Sequence, residues 1–263
     1  MNKIKLFIIR AFSKVLKNVS HSLYPIYGSY RSTAEPLYFP WNSNEAFLSI
    51  YEKANSSSNR DRYYMIYCLS RQACLLQEGN FIEFGTHSGD SANFMAHILK
   101  NYDKENKSLT TIDSFEGFPA TSQKEDLDVR TNKLFIYFEA GGLKSDYEQV
   151  KEKLKTHQPP VLIVKGFIPN VFQKLEEKQY CFAHIDVDLY QATFDSLSYV
   201  YEKMVPGGII LMDDYGFPMC PGARQAADNF FEDKPEIILP LPTGQAIVFK
   251  TLQIKKNDQL QKV

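Results

Sequence analysis

Two apolar runs of this chain end in paired acids. "FAHIDVD" closes on Asp186 and Asp188, and "GGIILMDD" closes on Asp213 and Asp214. Four carboxylates that close in pattern repel one another unless a positive charge lies among them or they point apart. A hard divalent cation suits an all-oxygen set, and Mg2+ would keep open positions for water and substrate oxygens. The candidate ligands are Asp186, Asp213 and Asp214. Asp188 stands just before a helical pattern that begins near Tyr190, so its expected role is a helix cap. His184, inside the apolar run, reads as a core histidine. His87 remains a minor candidate for moving a proton.

A second group of residues suits a nucleoside. "FIEFGTHSGDSA" places Glu83, Gly85 and Gly89 as E-x-G-x-x-x-G between an apolar run and a helical pattern. A dinucleotide loop would read G-x-G-x-x-G and offer a helix N-terminus to a pyrophosphate. Here an acid precedes the first glycine. It would repel a phosphate but accept an ammonium or a hydroxyl. S-adenosylmethionine carries both and no phosphate. In "TTIDSFEGFP", Asp113 ends the next apolar run, the usual place for an acid that takes ribose hydroxyls.

These residues need a scaffold that brings run ends together. From about residue 61, short apolar runs alternate with helical patterns: "NFIEFG", "SLTTIDSF", "PVLIVKG", "CFAHIDVD" and "GGIILMDD" are the strands. Helices are expected at "DRYYMIYCLSRQACLLQ", "SANFMAHILKNY", "DYEQVKEKLKTH", "NVFQKLEEK", "ATFDSLSYVYEKM" and "GARQAADNFFED". Such alternation predicts an α/β fold, a doubly wound and mostly parallel sheet covered on both faces. "EIILPL" and "GQAIVFKT" lack a helix between them and predict an antiparallel hairpin at one C-terminal edge. Ligands in such sheets bind outside the carboxyl ends of the strands, where every acid named above falls.

The 263 residues divide in this reading into an extension, 1–60, and a main domain, 61–263. The extension starts with a basic amphipathic helix: Ile4, Phe7, Ile8, Ala11, Phe12 and Val15 share a stripe, with Lys3, Arg10 and Lys14 between them. That pattern suits packing on the chain's own domain or on a second subunit in a homo-oligomer. Residues 1–20 would also suit the surface of an anionic membrane. It is too short and too charged for a secretory leader. Net charge is −1, which gives no general attraction for nucleic acid. The four cysteines form no CxxC and predict free thiols in a reducing, cytoplasmic compartment.

The order "IEFGTHSGDSA", "IDSFEGFP", "HIDVDLYQAT…MVPGGIILMDDYG" and "PGARQAADNFF" resembles the macrocin O-methyltransferase (TylF-like) family, from about Arg60 to Thr251. The resemblance implies a class I methyltransferase, Rossmann-like domain. It implies methyl transfer from S-adenosylmethionine, with Mg2+, to a hydroxyl of a sugar or glycosylated metabolite. It assigns Asp186, Asp213 and Asp214 to the metal, and Asp186 also to proton abstraction. Glu83, Gly85, Thr86, Ser91, Asp113 and Ser114 fall to the cofactor, and a small molecule or glycan is the acceptor. "GTHSGD" departs from the family's more usual "GVxRGG"-like loop. Two other chemistries share the acids: a glycosyltransferase using "DVD" as a metal-binding DxD, and a methyltransferase acting on a catechol-type phenol.

Overall fold

The computed structural model describes residues 43–54, 59–121, 123–127 and 139–251. The N-terminal amphipathic helix expected over residues 1–20 lies outside the described residues. The described elements run, in chain order, α1 (Glu45–Lys53), α2 (Arg60–Ala73), β1 (Asn80–Phe84), α3 (Asp90–Tyr102), β2 (Leu109–Asp113), α4 (Tyr147–Leu154), β3 (Val161–Lys165), β4 (Tyr180–Ile185), α5 (Tyr190–Val200), β5 (Met204–Met212), α6 (Pro221–Phe231), β6 (Leu239–Pro240) and β7 (Ala246–Phe249).

Seven strands form one sheet in the order β3-β2-β1-β4-β5-β7-β6. β1 to β5 are parallel, whereas β7 runs antiparallel to β5, and β6 to β7. The expected edge hairpin is present, with β7 as its inner strand. Its outer strand is short because Pro240 has no N–H to give, and Ile237 of the expected strand stays in solvent.

Strand alternation sorts the buried side chains. Ile82 and Phe84, Ala183 and Ile185, Ile210 and Met212 join Leu197 and Val200 of α5 and Phe230 and Phe231 of α6 in one apolar cluster. The intervening positions Phe81, Glu83, Phe182, His184, Ile209 and Leu211 are also buried, on the opposite face of the sheet. Helices α2 and α3 adjoin that face. α2 forms there because Asn59 caps it, its side chain accepting from the Asp61 N–H at 2.8 Å. Tyr63, Ile66, Tyr67, Ser70 and Ala73 then recur at helical spacing and are buried.

The chain divides into two units, Met1–Glu45 and Ala46–Val263. The boundary falls ahead of the expected one because α1 is tied to the main unit by its aromatic face. Phe47 is fully buried, and its ring meets those of Tyr64, Tyr67 and Phe94 edge-on. A second difference lies at "NVFQKLEEK", where the structure has only one 3-10 turn, Asn170–Lys174. That turn buries Val171 and packs Phe172 and Leu175 against the core.

Candidate active site

The ladder continues one rung past the strand ends. The Asp186 N–H donates to Phe84 O at 2.9 Å, and the Asp213 N–H to Ile185 O at 2.8 Å. Two rungs earlier in each strand, His184 lies between Glu83 and Leu211. Asp186 and Asp213 are therefore set level on neighbouring strands, and Asp113 ends β2 on the same edge. Gly85 fits between them: its φ is +95°, and a Cβ there would collide with the Asp186 carbonyl. Only glycine tolerates both conditions.

This edge opens into a cavity of about 490 Å³. Gly85, Thr86, Ser91, Asp113, Ser114, Asp186, Asp213 and Asp214 all line it, together with His184 and Asp188. Asp113 accepts from the His87 N–H and from the Phe115 N–H, each at 2.7 Å. It thereby holds two residues of positive φ and keeps a lone pair on each oxygen for a ligand. Ser114 donates to Gly117 O at 3.1 Å and steadies the turn beyond. Glu83 does not line the cavity. It is fully buried behind it, accepting from Thr111 Oγ1 at 2.5 Å and facing His184 Nδ1 at 3.1 Å. Thr86 closes this chain of bonds through its hydroxyl contact with Thr111 at 2.5 Å.

The four acids separate into two groups. Carboxylate oxygens of Asp186 and Asp213 and a ring nitrogen of His184 all lie within 4.8 Å of one another. Asp188, Asp214 and the Cys220 thiol make a second such group. Asp188 does not cap α5: it sits at φ +59°, its N–H donates to Asp214 Oδ2 at 3.2 Å, and its carboxylate accepts from Cys220 Sγ at 3.3 Å. The cap comes from elsewhere. Asp126, in the segment between β2 and α4, accepts from the Tyr190 N–H at 2.7 Å. Asp186 and Asp188 of "DVD" thus fall in different groups.

Burial above all, then the charge of Asp186, pushes the Asp188 carboxyl up to about 7. Burial, then Asp188 and Asp186, raises Asp214 well above the usual carboxylate range. The counter-charge supplied by the protein is Arg62 of α2. Its guanidinium pairs with Asp213 Oδ2, donates to the Asp213 carbonyl at 3.0 Å, and lies 3.5 Å from Asp214 Oδ1. Among the described residues, one arginine beside four acids leaves the edge electron-rich. His184 Nε2 is buried there without a hydrogen bond, 3.5 Å from Asp213 Oδ1. This orphaned nitrogen and the acid surplus fit a divalent cation. The glycine cradle and Asp113 fit S-adenosylmethionine.

The strands that build this edge lie within residues 68–243, which match the macrocin-O-methyltransferase (TylF) family. The chain belongs to that family. It is 30% identical over 156 residues to mycinamicin III 3''-O-methyltransferase of Micromonospora griseorubida, covering 58% of this chain and 60% of that protein. It is 26% identical over 163 residues to 8-demethyl-8-(2,3-dimethoxy-alpha-L-rhamnosyl)-tetracenomycin-C 4'-O-methyltransferase of Streptomyces olivaceus, covering 60% of each. The chain thus spans about 60% of the length of the curated relatives it matches. The solved structure of the O-methyltransferase NovP resembles it with a TM-score of 0.62 at 22% identity, over 72% of this chain and 79% of that one. That likeness shows the fold, the class I methyltransferase arrangement.

The TylF match omits two partners of Asp213. Arg62 precedes the matched stretch, and Gln245, whose Nε2 donates to Asp213 Oδ1 at 2.6 Å, follows it. Neither was singled out in the sequence. Arg62 looks like an ordinary basic residue in the first turn of a helix, 151 positions from its carboxylate. All four cysteines are free, and no described helix is long and apolar enough to cross a membrane.

Proposed function

We propose that this TylF-family chain is an O-methyltransferase that moves a methyl group from S-adenosylmethionine to a hydroxyl of a sugar or glycosylated metabolite, with a divalent cation, taken as Mg2+, at the acidic edge. The observation that carries this reading is the meeting of two half-sites in one cavity. Gly85 and Asp113 stand on one side, and Asp186 and Asp213 on the next two strands. A relative whose name specifies a rhamnosyl group supports the sugar acceptor.

The cofactor supplies an electrophilic methyl on a sulfonium, and the cation lowers the pKa of a hydroxyl that is otherwise a poor nucleophile. The protein's own residues do the rest. Asp113 takes the ribose hydroxyls, and Gly85 lets the backbone approach the ligand. Thr86, Ser91 and Ser114 line the same half. Asp186, Asp213 and Asp214 would hold the cation, and Asp186 would accept the proton from the acceptor hydroxyl. Arg62 pairs with Asp213 and fixes it in place. Phe118, Leu143 and Phe217 give the cavity an apolar wall for the body of the acceptor. Positioning supplies much of the rate, because the sulfonium is already reactive.

Ligand-dependent melting separates this from nucleotide-sugar chemistry. S-adenosylmethionine is expected to raise the melting temperature in the presence of Mg2+, whereas UDP- or GDP-sugars are not. Protection by a nucleotide sugar alone would overturn the reading.

A further inference from the structure

Glu83 and His184 form a buried pair that the reading above leaves without a task. Glu83 is 0% exposed and His184 1%. They sit opposite each other on β1 and β4, on the sheet face that leads to Asp213. Glu83 Oε1 accepts from His184 Nδ1 at 3.1 Å, while Oε2 is held by the Thr111 hydroxyl at 2.5 Å. A carboxylate with both oxygens so engaged orients the ring and places the imidazole proton on Nδ1. Nε2 then carries a lone pair. That atom makes no hydrogen bond. His184 lines the cavity, and one of its ring nitrogens lies within 4.8 Å of carboxylate oxygens of Asp186 and Asp213. Two donor atoms bound at about 2.1 Å to one ion stand roughly 3–4 Å apart. The 3.5 Å between His184 Nε2 and Asp213 Oδ1 falls in that range. Asp213 Oδ1 already has a donor in Gln245, so His184 is not needed to satisfy it.

We propose that His184 Nε2 is a nitrogen ligand of the divalent cation, oriented by Glu83. This rests on the cation reading of the acidic edge and deepens it. Glu83 thereby becomes the orienting carboxylate of a metal-bound histidine, an arrangement that fixes ring and tautomer. A nitrogen donor among carboxylates also shifts preference from Mg2+ toward Mn2+, Co2+ or Zn2+, which accept imidazole readily.

Pulsed electron paramagnetic resonance of the full chain loaded with Mn2+ tests this without turnover. The expected result is one bound Mn2+ with strong 14N modulation, converted to the 15N pattern when histidine is ring-labelled. His184→Gln should lose the modulation and His87→Asn should keep it. Glu83→Gln should weaken Mn2+ binding about 10–100-fold, the usual effect of losing an orienting partner. The labelling experiment uses the wild-type chain, so it stands even if a variant fails to fold. Bound Mn2+ without histidine nitrogen coupling would overturn the assignment of His184 and leave the carboxylate site intact. Coupling that vanishes in His87→Asn instead would also overturn it. Absence of any Mn2+ binding would remove the cation reading and this inference together.

Discussion

Asp113 has two oxygens, and each already holds a backbone N–H of the loops beside it. Its value to a ligand therefore comes from lone pairs that these bonds leave free, on a carboxylate held rigid by them. Asp113→Ala should weaken S-adenosylmethionine binding by about 1.5–3 kcal/mol, the range for hydrogen bonds to a charged group. Titration calorimetry reads this directly, and an unchanged affinity would remove Asp113 from the site. The acids at run ends were legible from type and position alone, but their partners were not. Asp186 and Asp188 look equivalent in "DVD", yet a positive φ at Asp188 turns it toward Asp214 and Cys220. The cap expected of Asp188 is supplied by Asp126, 64 positions before the Tyr190 N–H it accepts from. Such tertiary pairings leave no local pattern. His184 reads as a core residue by its apolar neighbours, and it is buried. Only the geometry reveals that one of its nitrogens has nothing to bond.

Buried apolar runs punctuated by helical patterns made β1 to β5 legible, because a parallel sheet covered on both faces needs continuous apolar strands. The antiparallel end was legible from a missing helix. The helix expected at "NVFQKLEEK" is a 3-10 turn instead, because three apolar residues fit one turn as well as several. The meeting of β1 and β4 at their tips depends on Gly85. Gly85→Ala would place a methyl against the Asp186 carbonyl at a backbone angle that side chains avoid. It should cost at least about 2 kcal/mol in urea unfolding, the scale of steric and backbone strain combined. It should also weaken divalent-ion binding, since Asp186 must move; unfolding and ion binding both like wild type would refute the close contact. The aromatic anchor of α1 makes a second element-scale test. Phe47→Ala should destabilise the main unit by about 3–5 kcal/mol, as expected for a large buried ring. A change under about 1 kcal/mol would mean that α1 is not part of the core.

Away from the cavity, His157 Nε2 bonds Asn93 Oδ1 at 2.6 Å beneath α3, with the ring of His97 packed edge-on against it. Burial first, then the positive charge of His97 and Lys100, lowers the His157 pKa to about 4. The unfolded chain takes up this proton near pH 6.5, whereas the folded chain resists it until about pH 4. Stability from the neutral ring is therefore complete above pH 6.5 and is lost as pH falls toward 4. His157→Gln has nothing to titrate, so its melting temperature should fall less than that of the wild type across this window. Parallel curves would contradict the assignment. The whole account converges on methyl transfer at the acidic edge. The most direct measurement follows label from methyl-labelled S-adenosylmethionine into a panel of glycosylated acceptors, in EDTA and after a divalent cation is restored. The account predicts label on a sugar hydroxyl oxygen, abolished by EDTA and recovered with Mg2+ or Mn2+. Undiminished transfer in EDTA, or no transfer to any hydroxyl once the cation is restored, would contradict it.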